Sequence, residues 1–206
     1  MSEVKISGTT YNLIVPEDII NMQYKYIFCE NFFTPEECQK IISSTKEKRT
    51  FTPEELQRDD LGYTYKTRTN GVIYPIFPEN IWYEKKLTNL VQYLNKRYFM
   101  CNISDVANVQ MIEYKQNCNF EWHIDMLPGR RGTSLISIVC FLSNPEDYEG
   151  GRLIWKPLEF GINKQEQLKG TLVFFSAAME HSVETVTKGT RYSLVSFGYN
   201  RFWVSQ

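Results

Sequence analysis

Histidine is the scarcest reactive side chain here: His123 and His181 are the only two in 206 residues. Any imidazole chemistry must use one or both. Cysteine is present five times, at 29, 38, 101, 118 and 140, an odd count with no Cys-x-x-Cys pair. That excludes zinc ribbons and thioredoxin-type redox sites, and it fits a reducing interior better than a disulfide framework. Long apolar runs are missing too. The longest, Leu135–Leu142, is interrupted by Ser137 and falls far short of the ~20 residues a membrane helix needs. The opening MSEVKISGTTYNLIVPEDII has no basic stretch leading into an apolar one, so no secretory signal is expected. There is no excess of either charge: 23 Lys and Arg against 24 Asp and Glu give a net −1. A dedicated nucleic-acid binder held by a basic field is disfavoured. These absences describe a cytoplasmic protein with no membrane segment.

What remains is globular, with 42% hydrophobic and 15% aromatic residues and no linker, repeat or low-complexity tract. A single domain over 1–206 is expected. Residues 1–100 read as mainly helical support. Thr34-Pro35-Glu36-Glu37 is a capping box with proline in the first turn, followed by Cys38, Ile41 and Ile42. Thr52-Pro53-Glu54-Glu55 repeats the start signal before a polar continuation, which predicts a short second helix. Leu87, Leu90, Val91, Leu94 and Tyr98 predict an amphipathic helix over 84–98. The stretch 62–80 reads as a strand leading into a loop, and Tyr74 within it is a candidate lid residue for gripping substrate.

After Tyr98 the texture turns to β. Runs at 106–114, 135–142, 152–156, 171–175, 182–186 and 191–202 are rich in Val, Ile, Phe, Tyr and Thr, with glycines between them. Short strands at close spacing predict a sandwich or barrel over 101–206 with the helices on one face, an all-β core with flanking helices.

Within that region, His123 and Asp125 stand two residues apart, and extended backbone points i and i+2 to the same side. His181 opens another strand-like run. Two imidazoles and a carboxylate from two strands make a facial set that leaves one side of an octahedral ion open, the geometry of non-haem Fe(II) oxygenases. Arg191, ten residues beyond His181, offers a guanidinium able to clamp a carboxylate through two parallel hydrogen bonds.

The ordered set resembles the Fe(II)- and 2-oxoglutarate-dependent dioxygenases of the prolyl-4-hydroxylase-like branch. It comprises Tyr114, His123-x-Asp125, Phe141-Leu142-Ser143-Asn144, Glu149-Gly150-Gly151-Arg152-Leu153, Lys169-Gly170-Thr171-Leu172-Val173-Phe174-Phe175, His181-Ser182-Val183 and Thr187-Lys188-Gly189-Thr190-Arg191-Tyr192-Ser193. The early Phe32-Phe33-Thr34-Pro35-Glu36-Glu37-Cys38 is similar to the helix that opens this family's domain. The resemblance implies a double-stranded β-helix, or jelly roll. It implies Fe(II) on His123, Asp125 and His181, and 2-oxoglutarate with its distal carboxylate on Arg191, assisted by Tyr114 and Ser193. Ascorbate is a candidate auxiliary. The reaction implied is hydroxylation of a C–H bond by O2, of a prolyl residue in a peptide or protein, with succinate and CO2 as co-products. Trp122, Phe141, Leu153 and Phe174 are candidate walls. Trp122, Tyr74, Arg130 and Arg131 are candidate substrate contacts, the two arginines as a basic lip after the metal motif.

There are departures from the family pattern. Many animal members place a tyrosine where this chain has Phe141, so Tyr114, Ser193 or Thr133 would have to supply the missing hydroxyl. The nucleobase-demethylating relatives carry a second arginine where this chain has Phe197, which counts against a nucleic-acid substrate. A free amino acid or other small molecule is an alternative substrate. A non-catalytic metal-binding jelly roll is a further alternative, and it leaves Arg191 unexplained.

Overall fold

The computed structural model describes residues 2–15, 26–46, 69–76, 82–126, 128–129, 132–156 and 167–200. The helix expected from Thr52, and the loop arginines Arg130 and Arg131, lie outside them. Strands β1 (Ser2–Ile6), β2 (Thr9–Ile14) and β3 (Tyr26–Glu30) precede helix α1 (Pro35–Lys46). Strand β4 (Val72–Pro75) and helix α2 (Glu84–Leu94) follow, and α2 runs into one π-helical turn, Asn95–Phe99. Then come β5 (Asp105–Tyr114), β6 (Phe120–His123), β7 (Pro128–Gly129), β8 (Gly132–Phe141), β9 (Tyr148–Gly150) and β10 (Leu153–Trp155). The last are β11 (Leu172–Ser176), β12 (His181–Val183), β13 (Val186–Gly189) and β14 (Arg191–Asn200).

The large antiparallel sheet has the order β1-β2-β3-β11-β8-β14-β5-β4, with β7 paired to β8. A small sheet, β10-β12-β6, and the pair β13-β9 complete the core. The expected β-rich core with helices on one face is what the chain forms.

The central strands are buried on both faces, so they read as nearly unbroken apolar runs and alternate only in which core they feed. Val109, Met111, Ile136, Ile138, Cys140, Leu172, Phe174 and Leu194 pack with Cys38, Ile41, Leu87, Leu90, Val91 and Leu94 of the helices. Their neighbours Ile112, Tyr114, Val139, Phe141, Val173 and Phe175 turn the other way, toward Leu153, Trp155 and Val183 of the small sheet. Phe174, taken from the sequence as a wall of the site, is thereby on the helix side.

The capping box forms as expected: the Glu37 amide donates to Thr34 Oγ1 at 3.2 Å, and the Thr34 amide donates to Glu37 Oε2 at 2.9 Å. Residues 2–14 and 26–30 depart from the helical expectation. Val4 and Ile6, then Tyr11 and Leu13, alternate with polar residues. Ser7 and Gly8, both at positive φ (49° and 89°), close a two-residue hairpin between β1 and β2. β3 then joins this hairpin to β11 at the main sheet.

One polar cluster interrupts the helix-side core. Glu113 accepts hydrogen bonds from Tyr74 Oη (2.7 Å), Tyr192 Oη (2.7 Å) and Lys46 Nζ (2.9 Å). This ties β4, β5, β14 and the end of α1 together. Burial pushes the carboxyl up, but its three donors outweigh that and hold it below the usual carboxylate range. Replacing Glu113 with Leu leaves two tyrosine hydroxyls without their acceptor. A loss of roughly 2–3 kcal/mol is expected in urea unfolding, nearly all from the tyrosines, because the lysine is over a third exposed. An unchanged urea midpoint would contradict it.

Candidate metal and carboxylate site

The site lies between the two sheets. β6 and β12 pair antiparallel with His123 directly opposite His181, and their rings stand 4.1 Å apart between centroids. Asp125 follows His123 as the chain leaves β6. Its backbone is held by its amide, which donates to Ala177 O at 2.9 Å, and by Ser134 Oγ, which donates to its carbonyl. The carboxylate then reaches both imidazoles: Oδ1 is 3.5 Å from His123 Nε2 and Oδ2 is 3.4 Å from His181 Nε2. One ligand atom from each of the three lies within 4.8 Å of the others.

Each histidine is oriented by a backbone carbonyl. His123 Nδ1 donates to Glu121 O at 2.7 Å, and His181 Nδ1 donates to Met179 O at 2.9 Å. A carbonyl can only accept, so Nδ1 carries the proton and each Nε2 presents its lone pair to the shared point. Burial holds His181 below the ordinary imidazole value, with Asp125 opposing, so a neutral ligand is available. Burial pushes Asp125 up, but the His181 and His123 rings and the Ser137 hydroxyl, donating at 2.6 Å, outweigh it and keep the carboxyl below its usual value. Phe120 stacks on the His123 ring at 4.0 Å between centroids.

Arg191 occupies the other end of the same cavity. It is 1% exposed, yet its Nε and Nη2 have no hydrogen-bond partner among the described residues. Nη1 alone donates, to Ser193 Oγ at 3.3 Å. Its guanidinium carbon sits 5.1 Å from the Tyr114 ring centroid and 5.7 Å from that of Phe141. Gly151, at φ +62°, packs against it: a Cβ there would stand 3.1 Å from Arg191 Cδ and 2.9 Å from Val186 Cγ2. A buried guanidinium without an anion costs several kcal/mol. The paired, unoccupied N–H groups are the shape of a carboxylate.

The cavity is lined by both groups and by Ile112, Val139, Leu153, Val183, Val195 and Phe197, so a set of side chains that could hold a metal ion and a guanidinium that could clamp a carboxylate face one apolar chamber. Residues 109–199 match the model of the 2OG-Fe(II) oxygenase superfamily. That stretch, under half of the chain, is similar to the 2OG-Fe(II) oxygenases. Among relatives, a PKHD-type hydroxylase of Pseudomonas putida F1 is 34% identical over 87 residues, 39% of this chain and 38% of that one. One from Synechococcus sp. (strain JA-2-3B'a(2-13)) is 44% identical over 62 residues, 30% of this chain and 27% of that one. The chain therefore spans well under half the length of these curated relatives.

Solved structures share the oxygenase fold over a longer stretch. A Pseudomonas putida prolyl-4-hydroxylase superposes with TM-score 0.66 at 16% identity, covering 86% of this chain and 93% of that one. A Trichoplax adhaerens prolyl hydroxylase in complex with a hypoxia inducible factor oxygen degradation domain peptide fragment gives 0.66 at 19%, covering 88% and 87%.

The structure brings His123, Asp125, His181, Arg191, Tyr114 and Ser193 to one cavity, and Leu153 lines it too. Two of the substrate contacts expected from the sequence are elsewhere. Tyr74 is on the helix side, drawn there by its bond to Glu113. Trp122 alternates away from His123 on β6 and carries Lys156 Nζ 4.5 Å over its ring. Thr133, proposed to replace the missing hydroxyl at 141, pairs with Asn200 and Pro128 at the opposite end of β8. The sequence reading missed Gln110, Phe120, Ser137 and Val195. Period-two counting back from Tyr114 and forward from Arg191 finds Gln110 and Val195.

Two measurements bear on this site. Ser137→Ala removes a donor to the Asp125 carboxylate and is expected to weaken Mn(II) binding by ~10-fold in electron paramagnetic titration; unchanged affinity would remove Ser137 from the site. Burial pushes the Tyr114 phenol up to about 12, with Arg191 opposing. The proton therefore stays on through pH 10, where an open tyrosine is half ionised. A 295 nm difference titration against Tyr114→Phe should show its ionisation only in the most alkaline range.

Proposed function

We propose that this chain, read as one catalytic domain over residues 1–206, hydroxylates a prolyl residue in a peptide or protein, using Fe(II), 2-oxoglutarate and O2. The observation that carries this is the buried Arg191 with two unpaired N–H groups, in the same cavity as the convergent His123, Asp125 and His181. A single bound anion would not explain both features; a dicarboxylate bridging a guanidinium and a metal does. The PKHD-type hydroxylase relatives and the fold shared with prolyl hydroxylases support the hydroxylase reading. The five free thiols support a reducing compartment such as the cytoplasm. No helix among the described residues is long and apolar enough to cross a membrane.

When bound, iron and 2-oxoglutarate supply the oxidising power that turns a C–H bond into C–OH, with succinate and CO2 as co-products. This chain's residues do the rest. Burial favours the neutral form of His181, and the backbone carbonyls that accept from Nδ1 of His123 and His181 turn each Nε2 toward the shared point. Asp125 stays ionised through Ser137 and the two rings. Arg191 orients the distal carboxylate, and Tyr114 and Ser193 stand beside it as neutral hydroxyl donors, offsetting the phenylalanine at 141. Ile112, Val139, Leu153, Val183 and Val195 keep water out, so reacting groups meet in a fixed and dry geometry.

Succinate formation from 2-oxoglutarate is expected to require Fe(II) and to vanish in His123→Ala and in Asp125→Ala. Arg191→Met should raise the KM for 2-oxoglutarate about a hundredfold, by loss of a buried charge pair. Turnover that survives loss of both His123 and Asp125 would overturn the proposal.

A further inference from the structure

Strands β5 and β14 carry the cavity wall in matched rungs. Arg191 lies opposite Tyr114, Ser193 opposite Ile112, and Val195 opposite Gln110. Four residues at ~3.4 Å each place the Gln110 rung ~14 Å along the wall from the Arg191 clamp. The metal ligands lie toward that same end. Asp125 is bonded to Ser137 of β8, and Ser137 pairs with Phe197 of β14, just beyond Val195. Gln110 and Phe197 therefore flank the part of the chamber where the carbon to be oxidised must approach the metal, away from the carboxylate clamp.

Every other polar side chain lining the chamber already has a part. His123, Asp125 and His181 converge on the metal position, and Arg191, Tyr114 and Ser193 form the clamp. Gln110 remains, half-buried, its amide making no hydrogen bond to any described residue. Its neighbours there, Ile112, Val195 and Phe197, cannot bond a polar substrate group. We infer that Gln110 is a specificity-determining residue, its amide donor and acceptor receiving a backbone amide of a peptide substrate beside the residue oxidised.

The inference rests on the hydroxylase reading and narrows its substrate. A free amino acid would bring an ammonium and a carboxylate into the chamber, and each needs an ionised partner. The ionised lining residues among those described are Arg191, committed to the clamp, and Asp125, committed to the histidines. A secondary amide is neutral, with one acceptor and one donor, and matches the glutamine side chain. A site built around such a bond discriminates against ligands that lack it.

The test uses the peptide that the wild-type chain oxidises best from a pool of proline-containing peptides, with free L-proline as the comparison. Peptide affinity is measured by calorimetry with Mn(II) and 2-oxoglutarate under nitrogen. Gln110→Met, similar in length without the amide, should weaken peptide binding about tenfold, the worth of a lost hydrogen bond or two. The affinity for 2-oxoglutarate should stay within about twofold, because the clamp is four rungs away. Gln110→Glu, which keeps the length and loses the donor, should bind peptide more weakly than wild type and serves if the methionine variant does not fold. Peptide oxidation by wild type with equal binding by both variants would overturn the role of Gln110 and leave the hydroxylase reading standing. Oxidation of free L-proline but of no peptide would overturn both the peptide substrate and this inference.

Discussion

Burial of β5, β8 and β14 on both faces is the constraint on which the rest of the structure depends. A strand covered on one side needs apolar residues at every second position; these strands need something to bury at every position. Met111, Cys140 and Leu194 feed the helix-packed core, while Ile112, Val139 and Val195 wall the chamber. The chemistry is inserted into that second face without breaking the first. Arg191, Ser193 and Tyr114 occupy chamber positions, and their immediate neighbours Tyr192, Leu194 and Glu113 face the helices. A shift of one residue in the β5–β14 register would exchange the two sets and destroy both core and site.

That register is secured from behind. The Tyr192–Glu113 rung sits next to the Arg191–Tyr114 rung on the same pair of strands, on the opposite face. Its buried carboxylate, two tyrosines and a lysine bind α1, β4, β5 and β14 together. The chamber side of the sheet thus has a polar lock on its reverse, adjacent in sequence to Arg191. Around His123, Asp125 and His181 a smaller arrangement of the same kind recurs, with backbone carbonyls on both histidines and Ser137 on Asp125.

Much of this was legible in the sequence because it depends on spacing. Two histidines leave little choice of ligand. The two-residue step from His123 to Asp125 puts both on one side of extended backbone, and the ten-residue step from His181 to Arg191 is carried by the family resemblance. The amphipathic α2 and the capping box of α1 follow from local rules. What could not be read off depends on partners far away in sequence. The β1–β2 hairpin alternates too briefly to stand out, and it is stabilised by pairing with β3, which in turn pairs with β11. Tyr74 and Trp122 are aromatic residues close to the motif in sequence, and nothing local says which face they take. Glu113 draws Tyr74 behind the sheet, and alternation along β6 sends Trp122 outward. Gln110 was missed for the complementary reason: a lone glutamine carries no motif, and its importance appears only when the rungs of β5 and β14 are aligned.

We propose that Arg191, whose Nε and Nη2 have no partner among the described residues, and the His123–Asp125–His181 set are two ends of one binding site for a metal-bound dicarboxylate. A crystal structure of the chain with Mn(II) and 2-oxoglutarate, grown under nitrogen, tests it most directly. The account predicts the metal among the three ligands and one carboxylate of 2-oxoglutarate on the Nε and Nη2 of Arg191. A structure with the metal bound and the dicarboxylate seated elsewhere, Arg191 still unpaired, would contradict it.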